Sequence, residues 1–163
     1  MKLLGAGLLL CTGILAGSAA ARNLERRAAT LRLLRQMLTA MMQELNAMLP
    51  LTADLLRDLA GMPAFAALPF LQEAAAEPEA FPASWSEAVC RDKTLPDGAA
   101  EVLLSVGQTL GSTTLNAQLA AMQLSLERLT ALQSDAEAQS TEKGKLCRSM
   151  GLLTALFAAI LLL

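Results

Sequence analysis

The sequence predicts an all-α fold: a helical bundle of about six helices with long first and last members, flanked by N- and C-terminal transmembrane segments. Three observations carry that prediction. Ala, Leu and Met dominate the composition, aromatic residues make up only 3%, and Tyr and His are absent, a balance that favours helices over strands. Two stretches of the middle region repeat apolar residues at steps of three and four, the period of one helix face. Both ends of the chain are apolar runs without a charge, whereas the middle is not.

The first run, residues 3–21, carries no charge between Lys2 and Arg22. At ~1.5 Å per helical residue it matches a hydrocarbon core of ~30 Å, so it reads as a transmembrane anchor. Arg22, Arg26 and Arg27 follow at once, the flank of a retained anchor; the small residues Ser18, Ala19, Ala20 and Ala21 leave a cleaved signal peptide as the alternative. The domain at 22–142 then opens on a seam of Leu31, Leu34, Leu38, Met41, Leu45 and Met48, with no helix breaker between Ala21 and Leu49. This predicts one helix running unbroken out of the membrane, its seam facing neighbouring helices. Pro50 interrupts it, and PLTADLLRDLAG gives a short helix stopping at Gly61. Prolines 63, 69, 78 and 82 restrict the next stretch to short helical pieces. SWSE at 84–87 has the form of a capping box before a helix that carries Trp85 and Val89.

After a turn at LPDG (95–98), the segment AAEVLLSVGQTLGSTTLNAQ reads as helix, break, helix. Gly111 suits the left-handed position that ends the first of these, and Ser112, Thr113 or Thr114 can cap the second. A second seam follows at Leu115, Leu119, Met122, Leu126 and Leu129, and the two seams can pack antiparallel. Beyond Leu132 the apolar period fades, and SDAEAQSTEKGK reads as a solvated stalk that becomes basic at 143–148. Residues 149–163, SMGLLTALFAAILLL, are then a C-terminal transmembrane segment. It is short, about 22 Å as a helix, and spans with the help of Cys147 and the snorkelling of Lys145 and Arg148.

Several chemistries are disfavoured by what the chain lacks. Without histidine there is no imidazole base and no Ser-His or Cys-His pair; no GxxxxGK[ST] or GxGxxG loop occurs. Glu73, Glu77 and Glu79 read as solvated carboxylates, and Cys90 as a small core residue beside Val89. Cys11, Cys90 and Cys147 form no CxxC pair, so neither a metal site nor a disulfide framework is expected, and no cofactor. A net charge of −2, with basic residues clustered beside the membrane segments, argues against nucleic acid. The expectation is a scaffold or adaptor, not an enzyme. A secreted helical binding module released by signal-peptide cleavage is the alternative.

The chain resembles the stage III sporulation protein AB family of endospore-forming bacteria, collinearly over essentially its full length. The resemblance rests on the Gly- and Leu-rich anchor with its arginine-bearing exit, LRLLRQMLTAMMQELNAMLPL with Pro50 and Leu51, the lone Trp85 in SWSEAV, LLSVGQTLGSTTLNAQ, and SMGLLTALFAAILLL. Its most specific unit is Gly107, Leu110 and Gly111 followed by Gln118 and a long helix. Thr113 stands where the family often has Asp, and Met150 where Leu is usual. The resemblance implies a structural part in the multi-protein assembly at the mother-cell and forespore membranes. It also implies a helical domain similar to the cytoplasmic domains of platform proteins in type II secretion and type IV pilus machines. The implied partners are the lipid bilayer, other stage III sporulation membrane proteins and a secretion-type ATPase, stage III sporulation protein AA; a homo-oligomer is compatible with such an assembly.

Charge also predicts sidedness, because basic residues flanking a span tend to stay in the cytoplasm. Arg22, Arg26, Arg27, Arg32 and Arg35 follow the first span, and Lys143, Lys145 and Arg148 precede the second. Both flanks place the helical domain in the cytoplasm, which under the resemblance is that of the mother cell, with both termini outside.

Overall fold

A computed structural model describes the backbone of residues 2–48 and 51–162, and the side chains of residues 22–48 and 51–142. Among the described residues there are six α-helices and no strand: α1 (Lys2–Met48), α2 (Thr52–Gly61), α3 (Pro69–Ala76), α4 (Ala83–Arg91), α5 (Ala99–Thr109) and α6 (Leu115–Leu162). Single 3-10 turns at Pro63–Phe65 and Pro78–Ala80 flank α3. The prolines do what their missing N–H dictates: Pro63, Pro69 and Pro78 each stand in the first turn of a short helical piece, where an amide would have no intrahelical partner. Pro50 lies outside the described residues.

The chain divides into two compact units, Ala29–Gln133 and, separately, Met1–Ala28 with Ser134–Leu163. The second unit consists of the first part of α1 and the last part of α6, with Ala28 and Ala136 buried. Among the described residues no helix is long and apolar enough to cross a membrane. The predicted spans 3–21 and 149–163 and the basic stretch 143–148 lie outside the residues whose side chains are described.

In the unit Ala29–Gln133, Leu31, Leu34, Met37, Leu38, Met41 and Leu45 of α1 are buried, as the first seam predicts. Met48, the seam's last member, is 80% exposed. The second seam is rotated from its expected position. On α6 the buried line is Met122, Ser125, Leu129 and Gln133, while Leu115, Leu119 and Leu126 are only half-buried. Two polar residues share that line because each is satisfied there: Ser125 Oγ donates to Ala121 O at 2.9 Å, and Gln133 Oε1 accepts from Arg35 Nη1 at 2.9 Å. The stretch beyond Leu132 is therefore not uniformly solvated: Gln133 and Ala136 are buried. Arg35 meets Gln133, while Asn46 and Leu119 line one groove, so numbers rise along α1 as they fall along α6. The long helices run antiparallel, as the seams suggest.

The helices α2 to α5 hold the rest of the core, including Leu55, Leu56, Leu59, Phe70, Leu71, Trp85, Val89 and Leu103. Two helix ends are satisfied from a distance. Asp92 Oδ2 accepts from Phe70 N in the first turn of α3 at 3.3 Å, and Gln72 Nε2 donates to Ala60 O in the last turn of α2 at 3.0 Å. The expected capping box at Ser84 does not form. Helix α4 starts earlier, at Ala83 after Pro82, so Ser84 has helical geometry and its Oγ is buried without a partner, while Ser86 Oγ bonds back to Pro82 O. Cys90 is exposed, contrary to expectation. The buried line of α4 is Trp85, Ala88 and Val89, and one further residue turns the side chain about 100° away from it.

Candidate functional site

The motif residues fall into a structural group and a surface group. Trp85, the one tryptophan, is fully buried; its ring stands edge-on to Phe70, with centroids 5.3 Å apart, and near Phe81 at 6.3 Å. Its Nε1 donates to Leu103 O on α5 at 2.8 Å, which satisfies a polar group that burial would otherwise penalise by about 1–3 kcal/mol. Gly107 lies one turn further along α5, and a Cβ there would fall 2.4 Å from Trp85 Cδ1. The glycine is the slot into which the indole fits, so α4 and α5 approach each other only because residue 107 has no side chain.

Leu110 is buried just past the end of α5, its amide bonded to Val106 O at 2.9 Å. Gly111 follows with φ +75°, the left-handed conformation predicted for it. A Cβ at Gly111 would also lie 2.9 Å from Thr52 Oγ1, so the turn after α5 rests on the start of α2. Ser112 closes the helix behind it instead of capping the one ahead: its Oγ donates to Gln108 O at 2.8 Å. Helix α6 begins after Thr114, whose carbonyl accepts from Gln118 N at 2.9 Å, and the Gln118 side-chain amide donates to Thr113 O at 2.6 Å. Gln118 thereby pins the connection between α5 and α6.

These turns frame a cleft of about 430 Å³ whose walls are the start of α2, the Pro78–Pro82 region and the end of α5. Leu51, Gly107, Leu110 and Gly111 all line it. Leu51 is 75% exposed, the one apolar side chain of the described motif that packing leaves out. The charged groups of the cleft are matched among themselves, Arg57 bonding Asp54 at 3.1 Å and Glu79 at 3.0 Å. All three are largely exposed, so these pairs contribute little to stability and set instead a local charge pattern at the rim. Glu73 turns to Arg91 on α4, so Glu73 and Glu79 engage different arginines and do not form a carboxylate pair. Among the described residues no group of three or more His, Cys, Asp or Glu is placed to hold a metal ion. The arrangement offers shape and an exposed apolar side chain, which suits recognition of a protein segment.

Sequence reasoning found Gly111 through its local chemistry. It missed the fit of Gly107 to Trp85 and the capping by Asp92, because in each case the partner lies on a different helix. An unpaired glycine inside a helical pattern was the available signal for the first.

No curated protein is significantly similar to the chain. Among solved structures, a stage III sporulation protein AB (SpoIIIAB) is similar with 21% identity and a TM-score of 0.56, over 71% of this chain and 96% of that one. At that identity the likeness is one of fold, and it agrees with the all-helical architecture. The family model for stage III sporulation protein AB matches residues 2–163. The chain therefore belongs to the stage III sporulation protein AB family, and its role is in sporulation.

Proposed function

We propose that this protein is a membrane-anchored, platform-like component of the sporulation-specific secretion-type complex between mother cell and forespore, linking a cytosolic ATPase to membrane ring components. In this reading residues 3–21 and 149–163 are the anchors, and the helical domain lies in the mother-cell cytoplasm. The cleft beside Leu51 is the contact surface for a partner of that assembly, stage III sporulation protein AA being the candidate. The observation that carries the reading is the division of labour within the motif. Trp85, Gly107, Leu110, Gly111 and Gln118 are used in packing and turns, whereas Leu51 remains exposed beside a cleft. Interface anchors are large side chains that become buried against a partner's pocket, and Leu51 is the apolar side chain at this cleft free to do so.

The test uses the full chain in sporulating cells. Leu51→Asp should leave the protein level unchanged but abolish its co-purification with the ATPase and block spore formation. A reporter active only in the cytoplasm, inserted at Pro78–Pro82, should be active. An inactive reporter, or undiminished co-purification by the Leu51 variant, overturns the topology or the contact surface respectively.

A further inference from the structure

Charge is divided unevenly along the chain. Residues 51–110, which hold the four short helices, contain nine acidic and three basic residues, whereas the rest of the chain contains six and ten. Of those three bases, Arg91 is engaged by Glu73 and Glu87, and Arg57 by Asp54 and Glu79. At the cleft beside Leu51 this acidic excess takes a definite form. Asp54 and Glu79 both line the cleft and share the one guanidinium of Arg57, which is the only basic residue from 36 to 90. Each uses a single oxygen: Asp54 Oδ1 accepts from Arg57 Nη1 at 3.1 Å, and Glu79 Oε1 accepts from Arg57 Nη2 at 3.0 Å. An ionised carboxylate accepts through two oxygens, so Asp54 Oδ2 and Glu79 Oε2 remain for a further donor. Asp58, one turn along α2 from Asp54, and Glu77, two residues before Glu79, are exposed as well and add to the same sign. The apolar part of the cleft lies among these acids, with Leu51 exposed at the start of α2 and Phe81 half-buried two residues after Glu79.

We propose that the partner segment seated in this cleft is basic and apolar at once: a Lys or Arg against Asp54 and Glu79, next to an apolar side chain against Leu51 and Phe81. The proposal rests on the reading of the cleft as a contact surface and adds the chemistry of its occupant. Two carboxylates on one guanidinium leave a negative charge uncompensated, and a cation from outside completes the set. A neutral apolar segment would cover Leu51 but strip water from both carboxylates and return no donor. An acidic segment would do the same and add like-charge repulsion. A basic segment instead exchanges that water for charge-assisted hydrogen bonds, which are the stronger kind. The acidic excess of the whole short-helix layer acts at longer range, drawing in a cation-bearing segment before contact. Because the carboxylates stand at an exposed rim, they govern the rate and salt dependence of association, while Leu51 supplies the apolar contact that holds the segment once seated.

The experiment measures the affinity of the full chain, held in nanodiscs of zwitterionic lipid, for purified stage III sporulation protein AA at about 0.1 M and about 1 M salt. Glu79→Lys should weaken binding about tenfold at the lower salt. That difference should shrink at the higher salt, where the screening length falls from about 10 Å to about 3 Å. Arg57→Gln has the opposite sign: it uncovers both carboxylates and should bind at least as tightly as wild type. The side chains of Arg57 and Glu79 are both more than half exposed, so the two variants keep the fold, which unchanged helical circular dichroism and melting temperature will verify. Weaker binding by Arg57→Gln together with tighter binding by Glu79→Lys gives the cleft to an acidic segment and overturns the proposal. Binding that Leu51→Ser weakens but neither charge variant moves also overturns it, while leaving the cleft as an apolar contact surface. If the wild-type chain does not bind, or if Leu51→Ser and both charge variants all bind like wild type, the contact-surface reading itself fails and the proposal falls with it.

Discussion

The long helices and the short ones hold themselves together by different means. The pair α1 and α6 is built by repetition, with apolar residues of one size class at regular steps, and its buried line tolerates Ser125 and Gln133 because each has a hydrogen-bond partner. The layer α2 to α5 is built by particular fits: one indole in one glycine slot, left-handed backbone at Gly98 and Gly111, and two helix ends capped by side chains from other elements. Repetition spreads energy over many equivalent contacts, so damage there should scale with burial alone. Particular fits concentrate it, so damage in the short-helix layer should depend on the identity of one partner.

The largest expected effect breaks the repeated seam at its centre. Leu38 is fully buried, and Leu38→Asp places a charge there without a partner, costing about 4 kcal/mol or more against a total stability of ~5–15 kcal/mol. Loss of the cooperative unfolding transition in full-chain circular dichroism is the expected result. Leu126→Asp, at a half-buried position of the opposite seam, should cost much less and leave the transition in place; an equal loss would mean that burial does not govern the long-helix pair.

Next, Trp85→Ala empties the centre of the short-helix layer and leaves Leu103 O without its indole donor, for about 3–5 kcal/mol by chemical denaturation. Gly107→Ala should cost about 1–3 kcal/mol, because the added Cβ meets a ring that is packed on all sides. In the Trp85→Ala background that cost should fall close to zero or reverse, since the methyl then enters the vacated slot. Additivity of the two changes would show that the glycine is not there for the tryptophan.

Smaller effects sharpen the same contrast. Gly111→Ala should lose about 1 kcal/mol, mostly through the left-handed backbone, since the other obstacle is the tip of the Thr52 side chain. Asp92→Ala removes the acceptor of both Phe70 N and Thr94 N and should cost about 1 kcal/mol in melting experiments. Amide exchange at Phe70 should accelerate more than exchange in the α1 seam, because the lost bond belongs to the short-helix layer alone.

Much of the fold was legible before the structure. Gly61 and the prolines at 63, 69, 78 and 82 marked where helices stop and restart, and the step pattern of Leu31 to Leu45 identified the buried face of α1. These features succeed because a missing amide, a missing Cβ or a 3.6-residue period acts within a few residues of itself. Of the candidate site, Gly111 was legible for that reason, and the exposure of Leu51 was not.

What the sequence by itself determined, then, was the helical class, the order of elements, the left-handed turn at Gly111 and, through the family match over residues 2–163, the sporulation role. The tertiary structure alone decided the rotation of the α6 face onto Met122, Ser125, Leu129 and Gln133, and the outward turn of Cys90. It also decided the start of α4 ahead of Ser84 and the meeting of Gly107 with Trp85. In each of these cases a local preference was overruled or completed by a group on another element. Ser84 has the chemistry of a cap but sits inside the helix; Gln133 is polar but is buried because Arg35 reaches it. Propensity acts along the chain, whereas burial and hydrogen-bond satisfaction act through space, and only the folded arrangement brings the second set of partners together.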